Sequence, residues 1–162
     1  MIDKIKQQVI QLGEQLKDLN LKLVTAESCT GGGLAYWITS VPGSSAWFDR
    51  GFVTYSNAAK EQLLGVNAMT LNTFGSVSEQ TVREMAEGAL QQSTADISIA
   101  ITGIAGPEGG SVSKPVGTVW IGSTNKIQTI SLLRIFSGDR QSIRMQSISD
   151  ALDIILETII AS

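Results

Sequence analysis

The chain has 162 residues, of which 43% are hydrophobic and 17% are charged, a composition typical of globular proteins rather than disordered ones. Its net charge of −3 argues against a nucleic-acid-binding protein, because such proteins usually carry a basic stripe. It has no histidine and one cysteine, which excludes a histidine-based triad, an internal disulfide and a zinc site of the usual nitrogen and sulfur type.

The length fits one domain, and we treat residues 1–162 as a single unit. The amino-terminal segment carries charges throughout, and no stretch approaches the roughly 18 apolar residues of a membrane span. A single cysteine also suits a reducing compartment. We therefore expect a cytoplasmic protein that binds neither nucleic acid nor membrane.

Helix and strand patterns alternate in the first part of the chain. In chain order they predict a helix over 3–19, a strand over 22–25, a helix over 32–41, a strand over 51–56 and a helix over 58–65. Pro42 stops the second helix, since proline cannot continue it. Asn57 is placed to cap the third helix, and Gly65 to end it.

The remaining patterns predict a helix over 81–92, a strand over 95–102, a glycine-rich loop over 103–117, strands over 116–123 and 126–136, and a final helix. Ser76 and Glu79 stand at capping-box spacing before the first of these helices. Thr124 and Asn125 indicate a hairpin turn, and either Ser137 or Asp139 could cap the final helix. The order predicts an α/β fold, a three-layer α/β/α sandwich with a mixed, mostly parallel sheet.

The stretch TAESCTGGG, 25–33, joins the end of a predicted strand to the start of a helix, where α/β sheets tend to bind ligands. It matches neither the nucleotide triphosphate P-loop nor the dinucleotide glycine pattern. Ser28 could be a nucleophile, or Ser28 and Thr30 could simply cap the helix. Cys29 could be an activated thiol, or a small buried apolar side chain.

Tyr55 and Lys60 stand five residues apart in YSNAAK, and the pattern places Tyr55 at the end of a strand. Without histidine, any base must be a lysine, a tyrosine or a carboxylate, and Lys60 is the lysine best placed near the ligand edge of the sheet. Burial that lowered its pKa to about 7–8 would make it a competent base. The alternative is a solvated surface lysine.

Two more segments reach the same edge. Thr102 and Gly103 end a predicted strand before the glycine-rich loop, which is either functional or a flexible surface loop. Arg140, in SGDR at the start of the last helix, could bind a phosphate bidentately or form a surface salt bridge with Asp139 or Asp49. Trp47 could stack on a ligand ring or pack in the core.

Four stretches in this order, TAESCTGG, GSSAWFDRGFVTYSNAAK, TGIAGPEGG with KPVGTVW, and FSGDR, resemble the carboxy-terminal domain family of the competence/damage-inducible protein. The resemblance spans about residues 5–158. It implies hydrolysis of the carboxamide of nicotinamide mononucleotide to nicotinate mononucleotide and ammonia, by a serine–lysine pair with a tyrosine nearby.

Carried over by motif, the resemblance implies Ser28 as nucleophile, Lys60 as base and Tyr55 beside them. It implies Arg140 as a substrate-binding cation, with Arg144 as a second candidate. Further substrate-binding candidates at the glycine-flanked turns are Thr30, Gly31, Gly32, Thr102 and Gly103. Backbone N–H groups near Gly31 or Gly103 would hold the oxyanion.

The reaction requires no metal and no organic cofactor, and the family resemblance implies a homo-oligomer. Two other functions stay open at this stage. One is a non-catalytic nucleotide-binding or regulatory module that uses the same glycine turns to hold a phosphate. The other is a thiol hydrolase that uses Cys29.

Overall fold

A computed structural model describes residues 1–160. The helices are α1 Ile2–Asp18, α2 Gly33–Thr39, α3 Asn57–Leu64, α4 Ala68–Phe74, α5 Glu79–Gln91 and α6 Arg140–Ile160. The strands are β1 Leu23–Glu27, β2 Phe48–Val53, β3 Ile97–Gly103, β4 Thr118–Thr124 and β5 Thr129–Ile135. No helix within residues 1–160 is long and apolar enough to cross a membrane.

The five strands form one sheet in the order β2-β1-β3-β4-β5. β1 runs parallel to both β2 and β3, whereas β4 is antiparallel to β3 and to β5. Four strands therefore point the same way, and the predicted mixed, mostly parallel sheet is confirmed. The parallel strands are joined through helices, as parallel connections require.

Helices cover both faces of the sheet, so the three-layer α/β/α sandwich is confirmed. On one face α1, α2 and α6 bury a core with Leu12, Leu34 and Ile155. On the other face α3, α4 and α5 bury a second core, with Leu64, Leu71 and Met85. β1 is buried throughout and β3 is buried up to Thr102, as expected for strands covered by helices on both faces.

Several predicted boundaries are wrong. β2 ends at Val53, so Tyr55 lies in the loop that follows the strand rather than at its end. Ser56, not Asn57, caps α3, and its side chain accepts a hydrogen bond from the Ala59 N–H. Adjacent serine and asparagine are equally good caps, so the local sequence does not choose between them.

The segment before α5 also differs from the prediction. It contains a short helix, α4, that the sequence patterns did not indicate, and Asn67 caps it. Ser78, rather than Ser76, caps α5 and accepts from the Thr81 N–H. Of the two predicted caps of α6, Ser137 and Asp139, it is Asp139 that accepts a hydrogen bond from the Ser142 N–H, at 2.8 Å.

Candidate active site

Three strands bring their carboxyl ends to one edge of the sheet, with β1 between β2 and β3. The Ser28 N–H donates to the Ile101 carbonyl of β3, and the Thr54 N–H donates to the Glu27 carbonyl of β1. A cavity of about 230 Å³ opens beyond these ends. It is lined by Ser28, Cys29, Tyr55, Lys60, Ser76, Val77, Thr102, Gly103, Ala105 and Arg140.

Lys60 and Ser28 are in direct contact inside this cavity. Lys60 Nζ lies 3.0 Å from Ser28 Oγ, 2.9 Å from the Thr54 carbonyl oxygen and 3.3 Å from the Tyr55 carbonyl oxygen. Lys60 stands in the first turn of α3, and helical side chains lean toward the helix amino terminus, which here directs the ammonium group to the strand ends.

The surroundings of Lys60 favour its neutral form. The residue is only 1% exposed and forms no ion pair with a carboxylate of residues 1–160. Burial lowers the pKa of Lys60 from 10.5 to about 8, because the charged form loses its hydration. The surface-lysine alternative is therefore wrong.

Glu27 fixes the turn that carries Ser28, and the sequence analysis missed it. Its carboxylate, 1% exposed, accepts from Thr30 Oγ1 at 2.6 Å and from the backbone N–H groups of Leu34 and Ala35 at 2.8 and 3.0 Å. These are first-turn amides of α2, whose own N-cap, Gly32, offers no side chain. The sequence signal that could have indicated this role is a carboxylate just before a glycine-rich helix start, where the first amides need an acceptor.

The prediction that Ser28 and Thr30 merely cap α2 is therefore wrong. The Thr30 hydroxyl is fully buried on Glu27 and lies outside the cavity lining, as do Gly31 and Gly32. Both glycines adopt positive φ angles, 60° and 93°, which other residues rarely adopt. Their contribution is to shape the turn beneath the nucleophile candidate.

Thr102 and Gly103 do line the cavity. The Thr102 hydroxyl donates to the Ser76 carbonyl oxygen at 2.7 Å, which ties β3 to the segment before α5. A side chain at Gly103 would collide with Val119 and Thr118 of β4, so glycine is required by packing as well as by access to the cavity. Ser76 was not among the sequence candidates for the site.

Tyr55 and Arg140 form the outer wall of the cavity. Arg140 Nη2 donates to the Tyr55 hydroxyl at 3.3 Å, and Arg140 Nη1 donates to the Gly106 carbonyl at 2.8 Å. The glycine-rich loop is thereby held against the start of α6. Tyr55 contacts Lys60 through its backbone carbonyl, whereas its side chain is 63% exposed and faces Arg140.

Cys29 lies in the cavity wall but is poorly suited to nucleophilic chemistry. Burial raises the pKa of its thiol from 9.0 to about 11, and the nearby Glu27 carboxylate adds to the increase. A thiol with that pKa is almost entirely protonated near neutral pH, whereas the thiolate is the reactive form. These values favour the small buried apolar interpretation of Cys29.

The positions of the side chains also bear on ring stacking by Trp47 and on a metal site. Trp47 is 1% exposed and packs in the core beside Gly13 of α1, so it does not stack on a ligand in the cavity. Among residues 1–160, no three histidine, cysteine, aspartate or glutamate side chains are grouped so that they could hold a metal ion.

Comparison with known proteins shows which family the chain resembles. The sequence matches the CinA C-terminal domain over residues 5–159. It is 47% identical over 156 residues to nicotinamide-nucleotide amidohydrolase PncC of Pseudomonas putida, covering 96% of this chain and 98% of that protein. It is 53% identical over 143 residues to the protein of the same name from Escherichia coli K12, covering 88% and 87%.

A solved structure supports the same assignment. The crystal structure of the competence/damage inducible protein CihA from Agrobacterium tumefaciens matches with a TM-score of 0.93 at 43% sequence identity, covering 96% of this chain and 95% of that one. Fold and sequence therefore agree over nearly the whole chain. The chain belongs to the CinA C-terminal domain family.

Proposed function

We propose that the protein hydrolyses the carboxamide of nicotinamide mononucleotide, giving nicotinate mononucleotide and ammonia, with Ser28 as nucleophile and Lys60 as general base. Relatives named nicotinamide-nucleotide amidohydrolase, similar over most of both chains, support the reaction and make the chain a hydrolase. The observation that carries the serine–lysine mechanism is the 3.0 Å contact between the buried Lys60 Nζ and Ser28 Oγ, both of which line the cavity at the strand ends.

The three partners of Lys60 explain how it would act as base. The neutral amine keeps two hydrogens, which the carbonyl oxygens of Thr54 and Tyr55 can accept, and its lone pair is then left to accept the Ser28 hydroxyl hydrogen. This arrangement needs no relay through the Tyr55 hydroxyl. At a pKa near 8, roughly a quarter of Lys60 is neutral at about pH 7.5, against on the order of 0.1% for an unperturbed lysine.

In the first half of the reaction, Ser28 Oγ attacks the carboxamide carbon while its proton passes to Lys60 Nζ. The tetrahedral intermediate then expels ammonia, which takes a proton from the Lys60 ammonium. The product of this half is a nicotinoyl ester on Ser28. In the second half, Lys60 takes a proton from water as the hydroxide adds to the ester carbon. The bond between this carbon and Ser28 Oγ then breaks, Lys60 returns its proton to Oγ, and the released acid loses its own proton to solvent to give nicotinate mononucleotide.

Backbone N–H groups would stabilise the oxyanion of both intermediates, and the geometry favours Gly103 over Gly31. The Gly31 N–H already donates to the Ser28 carbonyl. The Ile101 carbonyl accepts a hydrogen bond from the Ser28 N–H, so the backbone groups of Ile101 point toward Ser28. Because backbone groups alternate in direction along a strand, the N–H of Gly103, two residues further on, points toward the same side. Removal of one such donor typically costs about 10²–10³ in rate.

Substitutions of the two central residues test this mechanism. We expect Ser28→Ala and Lys60→Met to release ammonia from nicotinamide mononucleotide at least about 10³-fold more slowly than the wild type, because each removes a group of the nucleophile–base pair. Lys60→Arg should be equally impaired, since arginine does not lose its proton. Cys29→Ser serves as the control and should retain activity; near wild-type turnover by Ser28→Ala would refute the covalent route.

A non-catalytic nucleotide-binding module remains the competing function, and one pair of measurements separates the two. Calorimetry reports whether nicotinamide mononucleotide binds, and an ammonia assay reports whether it is hydrolysed. Binding without ammonia release by the wild-type protein would favour the module.

We also propose that the protein is cytoplasmic and forms a homo-oligomer. The family resemblance and the exposed apolar side chains of the edge strand β5, Leu133 and Ile135, support assembly. Sedimentation of the purified chain at micromolar concentration tests the oligomer, and cell fractionation tests the location. A monomer at that concentration would contradict the proposed homo-oligomer.

A further inference from the structure

Residues 74–76 connect the end of α4 to the start of α5, and three other parts of the chain hold their backbone. Their carbonyl oxygens accept hydrogen bonds, in chain order, from Lys114 Nζ at 2.8 Å, Thr81 Oγ1 at 2.7 Å and Thr102 Oγ1 at 2.7 Å. Lys114 belongs to the glycine-rich loop, Thr81 to α5 and Thr102 to β3. The third carbonyl lies two residues past the end of α4, so these contacts do more than cap that helix.

The same segment has a backbone conformation that favours glycine. Gly75 adopts a φ of 83°, in the left-handed region that other residues rarely adopt. Lys114 forms no ion pair with a carboxylate of residues 1–160, and its ammonium group instead makes a charge-assisted hydrogen bond to this backbone. The chain is thereby directed from α4 to the cavity, where Ser76 and Val77 form part of the wall.

Ser76 carries a hydroxyl group that the protein itself does not use. Four of the residues that line the cavity carry hydroxyls, and those of Ser28, Tyr55 and Thr102 each have a hydrogen-bond partner in the protein. The Ser76 hydroxyl has none among residues 1–160, and the residue is half-buried. A hydroxyl in this state is available to a ligand both as donor and as acceptor.

The carboxamide nitrogen of the proposed substrate needs an acceptor of this kind. It presents two N–H groups, whereas the carbonyl oxygens of Thr54 and Tyr55 already accept from Lys60. The carboxamide oxygen would face the backbone N–H of Gly103, which leaves the nitrogen to be oriented by another group. The free hydroxyl of Ser76 meets this need from a segment whose backbone is fixed at three points.

We propose that the Ser76 hydroxyl accepts a hydrogen bond from the carboxamide nitrogen and orients it as the leaving group, and that Lys114 is a positioning residue that acts through Ser76. The inference rests on the proposed function for the identity of the reaction. It makes Ser76 a determinant of leaving-group specificity, because an ester has no N–H group to donate to this hydroxyl.

Comparison of an amide with an ester tests the contact. The methyl ester of nicotinate mononucleotide would undergo the same attack by Ser28, with methanol leaving in place of ammonia. We expect Ser76→Ala to lower kcat/KM by about 3- to 10-fold for nicotinamide mononucleotide and by less than about twofold for the ester. Ser76→Thr, which keeps a hydroxyl, should recover part of the loss. Ser45→Ala, at an exposed serine outside the cavity, should match the wild type with both substrates.

A double-mutant cycle tests the role of Lys114. We expect Lys114→Met to lower the ratio of amide to ester kcat/KM by about 2- to 5-fold in the wild type, but to leave the ratio unchanged in Ser76→Ala, because the two residues act on one contact. Lys17→Met, at an exposed lysine of α1, is the control and should not change the ratio. A loss of stability alone would lower both activities alike, so an equal decrease for amide and ester would refute the positioning role.

Calorimetry separates this inference from the proposed hydrolysis. Both ligands are titrated into Ser28→Ala with and without Ser76→Ala, and we expect the added substitution to weaken binding of the amide at least about threefold and of the ester less than about twofold. Ammonia release by the wild type, with equal effects of Ser76→Ala on amide and ester, would overturn the inference and leave the function intact. A selective loss of amide binding, without ammonia release by the wild type, would support the contact while refuting the proposed hydrolysis.

Discussion

At the scale of single residues, the site depends on a lysine that is taken out of water without an acidic partner. Among residues 1–160, the Lys60 ammonium group has hydrogen-bond partners only in two backbone carbonyls and the Ser28 hydroxyl, so its charge is poorly compensated. A buried ion pair would have held the proton on the lysine. The absence of a carboxylate next to Lys60 within residues 1–160 is therefore what suits it to act as base.

The lowered pKa predicts the pH dependence of catalysis. Because only the neutral amine accepts a proton, kcat/KM for nicotinamide mononucleotide should fall about tenfold per pH unit below pH 8 and level off above it. Initial rates of ammonia release between pH 6.5 and 9.5 measure this. A profile that still rises steeply up to pH 9.5 would mean that Lys60 keeps an ordinary pKa.

The same shift predicts a pH dependence of stability. Between pH 8 and 10.5 the unfolded chain holds a proton on Lys60 that the folded chain has released, so the contribution of Lys60 to stability rises with pH across this window. Relative to Lys60→Met, the free energy of unfolding of the wild type should therefore increase by about 1–2 kcal/mol from pH 8 to 9.5.

Urea titrations at the two pH values measure this difference. Lys17→Met is the control, because Lys17 is exposed on α1 and its substitution should shift stability equally at both pH values. A difference between wild type and Lys60→Met that stays constant or shrinks with pH would contradict the predicted direction of the shift.

At the scale of elements, the start of α2 is organised by Glu27 rather than by its own first residues. The α2 helix has only seven residues and a glycine N-cap, so its first amides need an acceptor from outside the helix. Glu27 ends β1 and supplies this acceptor through Thr30, Leu34 and Ala35. Strand, turn and helix are thereby fixed relative to one another, with Ser28 between them.

A conservative substitution tests the importance of this contact. Glu27→Gln removes the negative charge and replaces one acceptor with a donor that faces N–H groups, so we expect the free energy of unfolding to fall by about 2–3 kcal/mol. Urea unfolding measures this loss. Glu61→Gln is the matched control, since Glu61 is exposed on α3 and its substitution should stay within about 0.5 kcal/mol of wild type. Equal stability of the two variants would refute the role of Glu27.

At the scale of the whole molecule, the sheet order brings together residues that are far apart in the sequence. β1 lies between β2 and β3 in the sheet. Ser28 follows β1, Lys60 lies on the helix that follows β2, and Gly103 ends β3, so all three line one cavity. The α6 helix packs on the opposite face from α3 and adds Arg140 to the same edge. A ligand in the cavity would contact elements of both helical layers.

Such a ligand should stabilise the folded state as a whole. Nicotinamide mononucleotide at about 100 times its dissociation constant should add about 2.7 kcal/mol to the stability of Ser28→Ala, which binds without turnover, and raise its Tm by roughly 5–10 °C. Calorimetric melting of this variant with and without the nucleotide measures the effect. Adenosine monophosphate serves as the control ligand, and an unchanged Tm with the nicotinamide nucleotide would contradict binding in this cavity.

The layered α/β architecture and the family were predictable from the sequence alone, and the motifs also singled out Ser28 and Lys60 as candidates. Hydrophobic periodicity and the absence of histidine are properties of the chain that need no coordinates. The prediction from sequence failed at the Ser56 cap, because adjacent residues have similar capping preferences. It also missed α4, because a helix of seven residues has a weak periodic pattern.

The distances between these groups and the surroundings of each group follow from the packing of the elements and needed the three-dimensional structure. The 3.0 Å contact between Lys60 and Ser28, the burial that lowers the pKa of Lys60 and the contact of Arg144 with the Thr30 carbonyl all depend on residues distant in the sequence. Distances and desolvation arise from packing between elements, and local sequence patterns carry no information about either quantity.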